Sequence, residues 1–396
     1  MHLSSLLDRF SEPETLRMAK LGRELRAQGK DIVDLSLGEP DFDTPEFVKT
    51  AAKDAIDENW SHYTPVAGYL DLREAVCEKF RRDNGLSYKP QNIVVSTGAK
   101  QSLANAILSV VDVNDEVLIP TPYWVTYSAL VQLVGGQVKF IKTGLEQGYK
   151  LNAEQLEQVI TPRTKAFIFS SPCNPSGAVY NREELTALAE VFRKHPQVWI
   201  ISDEIYEYIN YCDAHQSIAQ FDDLKERTIV INGLSKGFAM TGWRLGYLAA
   251  PVEVAKACEK LQGQFTSGTN AITQRAAIVA LTEPSDAPKK MVEEFKKRRE
   301  RVLEFMKKIE GFCFSNPDGA FYAFPRVDFY FGKKDGIDEI KNADDLCMYL
   351  LHKGLVSTVT GSAFGDDHCI RISYANSMQN IEKGFQRITE ALAALK

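Results

Sequence analysis

Near-continuous apolar runs recur through the middle of this 396-residue chain, each followed by a turn and then a segment of helical period. They span 92–97, 165–170, 198–202 and 228–232 and are rich in Val, Ile and Phe. A strand with one face in water alternates apolar and polar residues, whereas a strand buried on both faces reads as an unbroken apolar run. Four such runs alternating with helices predict an α/β fold, a mostly parallel central sheet with helices on both faces. The helices are legible too. Residues 101–111 have helical character, and in 181–195 Leu185, Leu188, Ala189 and Phe192 fall at i, i+3, i+4 and i+7 on one face. Asn181 is placed to cap that helix, with Glu184 three residues on to complete a capping box.

Beyond about Pro284 the pattern changes. A charged amphipathic helix is predicted over 289–311, with Val292, Phe295, Val302, Phe305 and Ile309 as its apolar stripe. Nine basic and four acidic residues between 289 and 308 raise the question of an anion-binding patch. Mixed signs opposite a complete apolar stripe predict a solvated face instead. Strand candidates at 320–324, 355–359 and 369–373 are interleaved with helical segments near 344–353 and 378–395. This predicts a second, smaller α+β unit, and at ~150 residues per domain the chain has room for two.

A chain of this length buries about three quarters of its unfolded surface and needs no disulfide staples. Seven cysteines lie scattered with no C-x-x-C pair, which fits a reducing compartment. Six histidines show no H-x-x-x-H or H-E-x-x-H spacing, so no metal site is expected. The formal net charge, 47 basic minus 53 acidic residues, is −6. That excludes general binding to nucleic acid or an anionic membrane, which wants a basic surplus. The first 20 residues lack a sustained apolar core and a small-residue cleavage site, and no run of 18 apolar residues exists. A cytoplasmic location is the expectation.

In a parallel α/β sheet, ligands bind beyond the carboxyl ends of the strands. After the 92–97 run, Gly98-Ala99-Lys100 enters a helix whose free N–H groups suit a phosphate. Ser171-Pro172-Cys173-Asn174-Pro175-Ser176-Gly177 follows the second run, and Asp203-Glu204-Ile205-Tyr206 the third. Gly233-Leu234-Ser235-Lys236 and then Gly242-Trp243-Arg244 follow the fourth. Each signal alone has a bland alternative: a strand-end Asp commonly caps a helix, and an isolated Lys is commonly solvated. Together the sheet edge collects an amide, a carboxylate, a phenol, an amine, a hydroxyl and a guanidinium. That set suits a phosphorylated cofactor with a reactive carbonyl.

The motifs N-P-x-G, S-D-E-I-Y and S-K-x-x-x-M-T-G-W-R-x-G-Y, in this order and spacing, resemble the class I aminotransferases of pyridoxal 5′-phosphate fold type I. The likeness runs from Thr15 through Ser-Leu-Gly-Glu-Pro-Asp-Phe (36–42) to Arg-Ile-Ser-Tyr-Ala (371–375). It is strongest to the bacterial aspartate aminotransferase subgroup, through His62-Tyr63-Thr64-Pro65, Gly98-Ala99-Lys100-Gln101 and Pro122-Tyr123-Trp124. The resemblance implies a large cofactor domain at 46–285 and a small domain built from 1–45 and 286–396. It also implies pyridoxal 5′-phosphate as cofactor, amino acids and 2-oxo acids as substrates, and a homodimer with shared active sites.

The resemblance further implies roles. Lys236 is the Schiff-base lysine, since an amine can hold the cofactor aldehyde, be displaced, and then carry a proton. Asp203 partners the pyridine nitrogen and keeps the ring an electron acceptor. Tyr206, which would project beside Asp203 if a helix began there, meets the cofactor's phenolic oxygen with Asn174, and Trp124 stacks on the ring. Arg244, Ser235 and the amides at Gly98 and Ala99 hold the phosphate, joined by Tyr63 of the neighbouring subunit. Arg371 clamps the substrate α-carboxylate with Asn174 and the Gly38 backbone. From pattern alone Arg371 reads as a surface arginine, opposite two isoleucines on its strand. Lys100 is the candidate for a distal carboxylate, with Thr15 from the N-terminal segment, or else it only faces solvent. The subgroup's Ser-x-Thr is here Pro13-Glu14-Thr15, and an acidic Glu14 would repel a dicarboxylate unless it points away.

The expected activity is ping-pong transamination, L-aspartate plus 2-oxoglutarate giving oxaloacetate plus L-glutamate. Alternatives are an aminotransferase for prephenate or aromatic amino acids, and a lyase using the same pocket. A dehydrogenase would want a strand followed by G-x-G-x-x-G, which this sequence lacks. A ligand-sensing regulator would want an added DNA-binding segment, and only some 30 residues precede the 34–37 strand.

Overall fold

All four apolar runs enter one seven-stranded sheet in the computed structural model, which describes residues 3–396. In chain order the strands are β1 (Val33–Asp34), β2 (Ile93–Ser96), β3 (Glu116–Thr121), β4 (Gln137–Lys142), β5 (Thr164–Ser170), β6 (Trp199–Asp203) and β7 (Thr228–Gly233). They continue with β8 (Gly246–Ala249), β9 (Tyr322–Ala323), β10 (Lys334–Asp335), β11 (Asp338–Glu339), β12 (Val356–Ser357), β13 (Val359–Thr360) and β14 (Ile370–Ser373). The large sheet runs β2-β8-β7-β6-β5-β3-β4. Only β8 is antiparallel to its neighbours, β2 and β7. The fold is the expected α/β architecture, with a mixed but mainly parallel sheet.

Burial on both faces explains the unbroken apolar runs. Along β7, Ile229 and Ile231 join one core while Val230 joins another on the opposite face. Along β5, Ile168 faces one side and Phe167 and Phe169 the other, because successive side chains of a strand alternate. Helices Ala99–Val110 and Val252–Phe265 cover one face; Glu46–Asp57, Leu70–Asn84, Arg182–Lys194 and Ala271–Thr282 cover the other. The Arg182–Lys194 helix carries the expected capping box, Asn181 and Glu184 each accepting the other's backbone N–H.

Three strands of the sheet escape the apolar pattern for separate reasons. The edge strand β4 is half exposed, with Phe140 in water. In β3, Pro120 has no N–H for the ladder, and pairing with β5 is confined to Glu116–Leu118. Strand β8 has four residues and opens on glycine.

A further core is built from both ends of the chain, joining Met18, Ile32, Val33 and Leu35 to Phe295, Val302, Phe321, Ile372 and Phe385. Strand β1 pairs in parallel with β12, Val33 opposite Val356, and Ser373 donates its N–H to the Leu35 carbonyl at 2.8 Å. Strands β13, β14 and β9 form an antiparallel sheet. The long charged helix is Ala287–Met306, five residues shorter at its end than its apolar stripe predicts. Ile309 packs instead from the turn that follows, which Gly311 allows with φ of +83°. The solvated-face expectation also has an exception: Arg298 is buried, bonded to Asp41 at 2.5 Å and stacked 4.9 Å from the Phe42 ring.

No metal motif was expected, yet Glu204, Glu207 and His215 converge in a buried cluster. A cation is already present there: the Lys79 ammonium pairs with Glu207, while His215 Nε2 lies 3.0 Å from Glu204. The seven cysteines are free. No helix among the described residues is long and apolar enough to cross a membrane.

Candidate active site

The carboxyl ends of β5, β6 and β7 and the start of the Ala99–Val110 helix open into a cleft of about 320 Å³. Hollows of about 550 and 750 Å³ also open on the surface, but neither is lined by Asn174, Asp203, Lys236 or Arg371, which all line the smaller cleft. Of the residues singled out from sequence, Thr15, Gly38, Ala99, Lys100, Trp124, Asn174, Asp203, Tyr206, Ser235, Lys236, Arg244 and Arg371 line it. Gly98 lies directly behind, at the helix N-cap. Tyr63 is not brought to this cleft; it is 96% exposed.

Lys236 follows β7 and is half-buried, its Nζ donating to the Gly38 carbonyl. Burial lowers its pKa to about 8, although Glu39 pulls the other way. Asp203 ends β6. Its Oδ2 accepts from the Tyr127 hydroxyl at 2.7 Å and its Oδ1 from the Ile205 N–H at 3.3 Å. Burial still raises this carboxyl to about 6. Beyond Asp203 the chain makes turns, not the helix that would have set Tyr206 beside it. Tyr206 instead meets the Tyr322 hydroxyl at 2.7 Å, and burial holds its phenol well above the ordinary range.

Arg371 on β14 is 2% exposed, which corrects the surface reading of its pattern. Both faces of this strand are covered, so alternation carries no sign of solvent. Nη1 donates to Asn174 Oδ1 at 2.9 Å and Nη2 to the Ser36 carbonyl at 2.6 Å, while the guanidinium lies 4.5 Å from the Tyr322 ring. Its Nε is buried without a partner.

At the other end, Gly98 adopts φ of +87°, and a Cβ there would stand 2.6 Å from Arg244 Nη2. Glycine is required both for that backbone and for the approach of the guanidinium. Arg244 itself is left-handed at φ 56° and donates to the Thr241 carbonyl at 2.8 Å. Lys100 projects over Trp124, Nζ 5.0 Å from the ring, and burial followed by nearby Arg244 lowers its pKa. Glu14 is already bonded to Arg17, Nε to Oε1 at 2.8 Å, which answers the repulsion expected of it.

Sequence reasoning missed Ser36, Tyr127, Ser170, Tyr322 and Arg23, all lining the cleft. Ser36 stood inside a quoted motif, and Tyr127 follows Trp124 by three residues, close to one helical turn. Arg23 repeats at i+4 from Ala19 and i+8 from Thr15. Tyr322 gave no signal, because its role depends on a hydroxyl contact with Tyr206, far earlier in the chain.

These residues fit pyridoxal 5′-phosphate and an amino-acid substrate. The Gly98 recess under Arg244 suits a phosphate, the amine of lowered basicity at Lys236 an aldehyde, and the unpartnered Arg371 Nε a substrate carboxylate.

Comparison with known proteins agrees with that chemistry. Residues 30–388 match the family model "Aminotransferase class I and II", and the chain belongs to this family. Over 99% of both chains it is 44% identical to the aspartate/prephenate aminotransferase of Cereibacter sphaeroides. It is 42% identical to the bifunctional aspartate aminotransferase and glutamate/aspartate-prephenate aminotransferase of Petunia hybrida, spanning all of this chain and 83% of that one. The crystal structure of the Rhizobium meliloti aspartate aminotransferase superposes with a TM-score of 0.97 at 41% identity, covering 100% of both chains. That of the Thermus thermophilus enzyme with maleate superposes at 0.92, with 38% identity over 99% of this chain and 100% of that one.

Proposed function

We propose that the protein is a pyridoxal 5′-phosphate-dependent transaminase for L-aspartate and 2-oxoglutarate, working by a ping-pong mechanism. The observation that carries this is the convergence of Lys236, Asp203 and Arg371 on one cleft. When bound, the cofactor supplies an aldehyde for the amino group and a ring that accepts the electron pair left at Cα.

The chain's own residues do the rest. Lys236 holds the cofactor and, once freed, removes the proton from substrate Cα; a pKa near 8 makes the free amine available near neutral pH. Asp203, kept in place by Tyr127, holds a proton on the ring nitrogen. Arg244, Ser235 and the amide at Ala99 bind the phosphate, while the Gly98 N–H expected to join them is given to the Ser96 carbonyl at 2.7 Å. Tyr206 and Asn174 serve the phenolic oxygen, and Trp124 covers the ring. Arg371, with Asn174 and Gly38, binds the α-carboxylate and aims the Cα–H bond at Lys236. Lys100 and Thr15 serve the distal carboxylate.

This reading divides the chain into a cofactor domain at 46–285 and a small domain from 1–45 and 286–396, consistent with the separate core made by the two chain ends. It places the enzyme in the cytoplasm as a homodimer, with Tyr63 crossing to the partner's phosphate. Exposed Tyr63, Leu70 and Phe265 favour such an interface. Prephenate is the second reading, favoured by the relatives named for both substrates.

The test offers single amino acids to the holoenzyme while the cofactor spectrum is followed. Aspartate and glutamate should convert the aldehyde form to the amine form, with their 2-oxo acids reversing it. Reversal fastest with prephenate would move the substrate assignment. Turnover surviving in Lys236→Ala would sink the mechanism.

A further inference from the structure

Among the described residues five cationic side chains line the cleft, and the only carboxylate lining it is Asp203. Lys236, Arg244 and Arg371 have work in the reaction proposed above, and Asp203 is committed to the ring nitrogen. Lys100 is the cation given to the distal carboxylate, and Arg23 alone is left without a task. With one anion on Arg244 and another on Arg371, Lys100 and Arg23 have no carboxylate within 4.0 Å among the described residues to neutralise them.

Arg23 is set there by its helix. In Glu14–Ala27, Thr15, Ala19 and Arg23 fall at i, i+4 and i+8, and all three line the cleft. Buried Ala19 leaves room between the polar ends of that face. The other arginines of the helix are engaged, Arg17 with Glu14 and Arg26 with Asp34 and the Ile32 carbonyl. Among the described residues Arg23 has no carboxylate within 4.0 Å and no hydrogen-bond acceptor, so its guanidinium is available to a ligand.

We propose that Arg23 is a specificity-determining residue whose guanidinium, with Lys100, receives the second carboxylate of a dicarboxylic substrate. This rests on the transaminase reading and applies to aspartate and prephenate alike, since each carries a second carboxylate. A planar fork matches a carboxylate bidentately, which the Lys100 ammonium cannot do. Arg23 is exposed, so its contribution is moderate and screened by salt.

The test uses holoenzyme carrying Arg23→Gln or Arg23→Lys. Binding of succinate, a dicarboxylate with no amino group, is measured by calorimetry, and kcat/KM is measured for aspartate and alanine. In Arg23→Gln the succinate Kd should rise about tenfold and the aspartate-to-alanine ratio fall about tenfold, through KM more than kcat. Arg23→Lys should recover part of both. Succinate affinity and ratio within about twofold of wild type would overturn the assignment, as would equal losses for aspartate and alanine. Wild-type enzyme that neither binds succinate nor prefers aspartate to alanine would overturn the substrate reading as well. Wild-type preference that persists in Arg23→Gln removes Arg23 alone.

Discussion

Arg371 donates to Asn174 across the cleft at 2.9 Å, joining a strand near the chain's end to the loop after β5. Its second nitrogen is fixed by the Ser36 carbonyl, so a third segment sets the orientation. A fork held at two points leaves little rotation to lose on binding. Arg371→Lys offers one point charge and cannot keep both anchors. Its half-reaction kcat/KM should fall about a hundredfold or more for every amino acid. Loss confined to dicarboxylic substrates would remove Arg371 from the α-carboxylate.

Asp203 sets function against stability. Its folded pKa of about 6 lies above the usual 3.8, so the folded state disfavours the ionised form. Asp203→Asn apoenzyme should therefore be more stable than wild type above pH 6, by up to about 3 kcal/mol. The advantage should shrink as pH falls from 6 to 3.8 and vanish below that. At pH 7.5 the thermal midpoint should rise by roughly 3 °C, while transamination by the holoenzyme collapses. A midpoint that drops at pH 7.5 would contradict this.

Gly98→Ala adds a methyl group where Arg244 passes and forces a left-handed backbone on a residue with a Cβ. At φ +87° and ψ 158° the backbone is in a region essentially reserved for glycine, which alone costs about 1–3 kcal/mol. Displacement of Arg244 should raise the cofactor dissociation constant about tenfold or more, readable by dialysis and absorbance. Alanine at Gly29, with φ of +83° but nothing within 4 Å, should leave cofactor affinity unaltered and so separate backbone strain from loss of the phosphate contact.

Tyr63 is outside its own protomer's cleft, and the segment beside it packs against 263–269, where Phe265 is also exposed. Mixing inactive Lys236→Ala chains with Tyr63→Ala chains should create mixed dimers with one intact site. Activity should climb toward about a quarter of the wild-type value when subunits exchange freely. Mixtures no more active than the two stocks assayed apart would mean that Tyr63 does not serve a partner.

The sheet was legible where burial on both faces produced unbroken apolar runs, as in β5, β6 and β7. The site was legible where a motif tied a residue to a strand end, as for Asp203 and Lys236. Arg371 was misread by alternation because a buried arginine between two covered faces looks, in one dimension, like a surface one. Tyr322 and Tyr127 were missed because their meaning lies in partners far along the chain, Tyr206 and Asp203. Arg23 sat in plain helical register with Thr15, but periodicity alone does not say which face of a helix looks into a cleft.

Strand β1 finds its partner only in β12, Val33 against Val356. During synthesis, which proceeds from the amino end, the first forty residues must therefore wait beside the ribosome while the whole large sheet is made. Asn376, which donates to the Asp34 carbonyl at 2.9 Å, is made later still. A nascent chain that ends between residues 236 and 355 carries Lys236 and Asp203 but neither Arg371 nor a docked amino-terminal segment. The order of translation thus keeps the reactive lysine from meeting an oriented substrate until the protein is nearly finished.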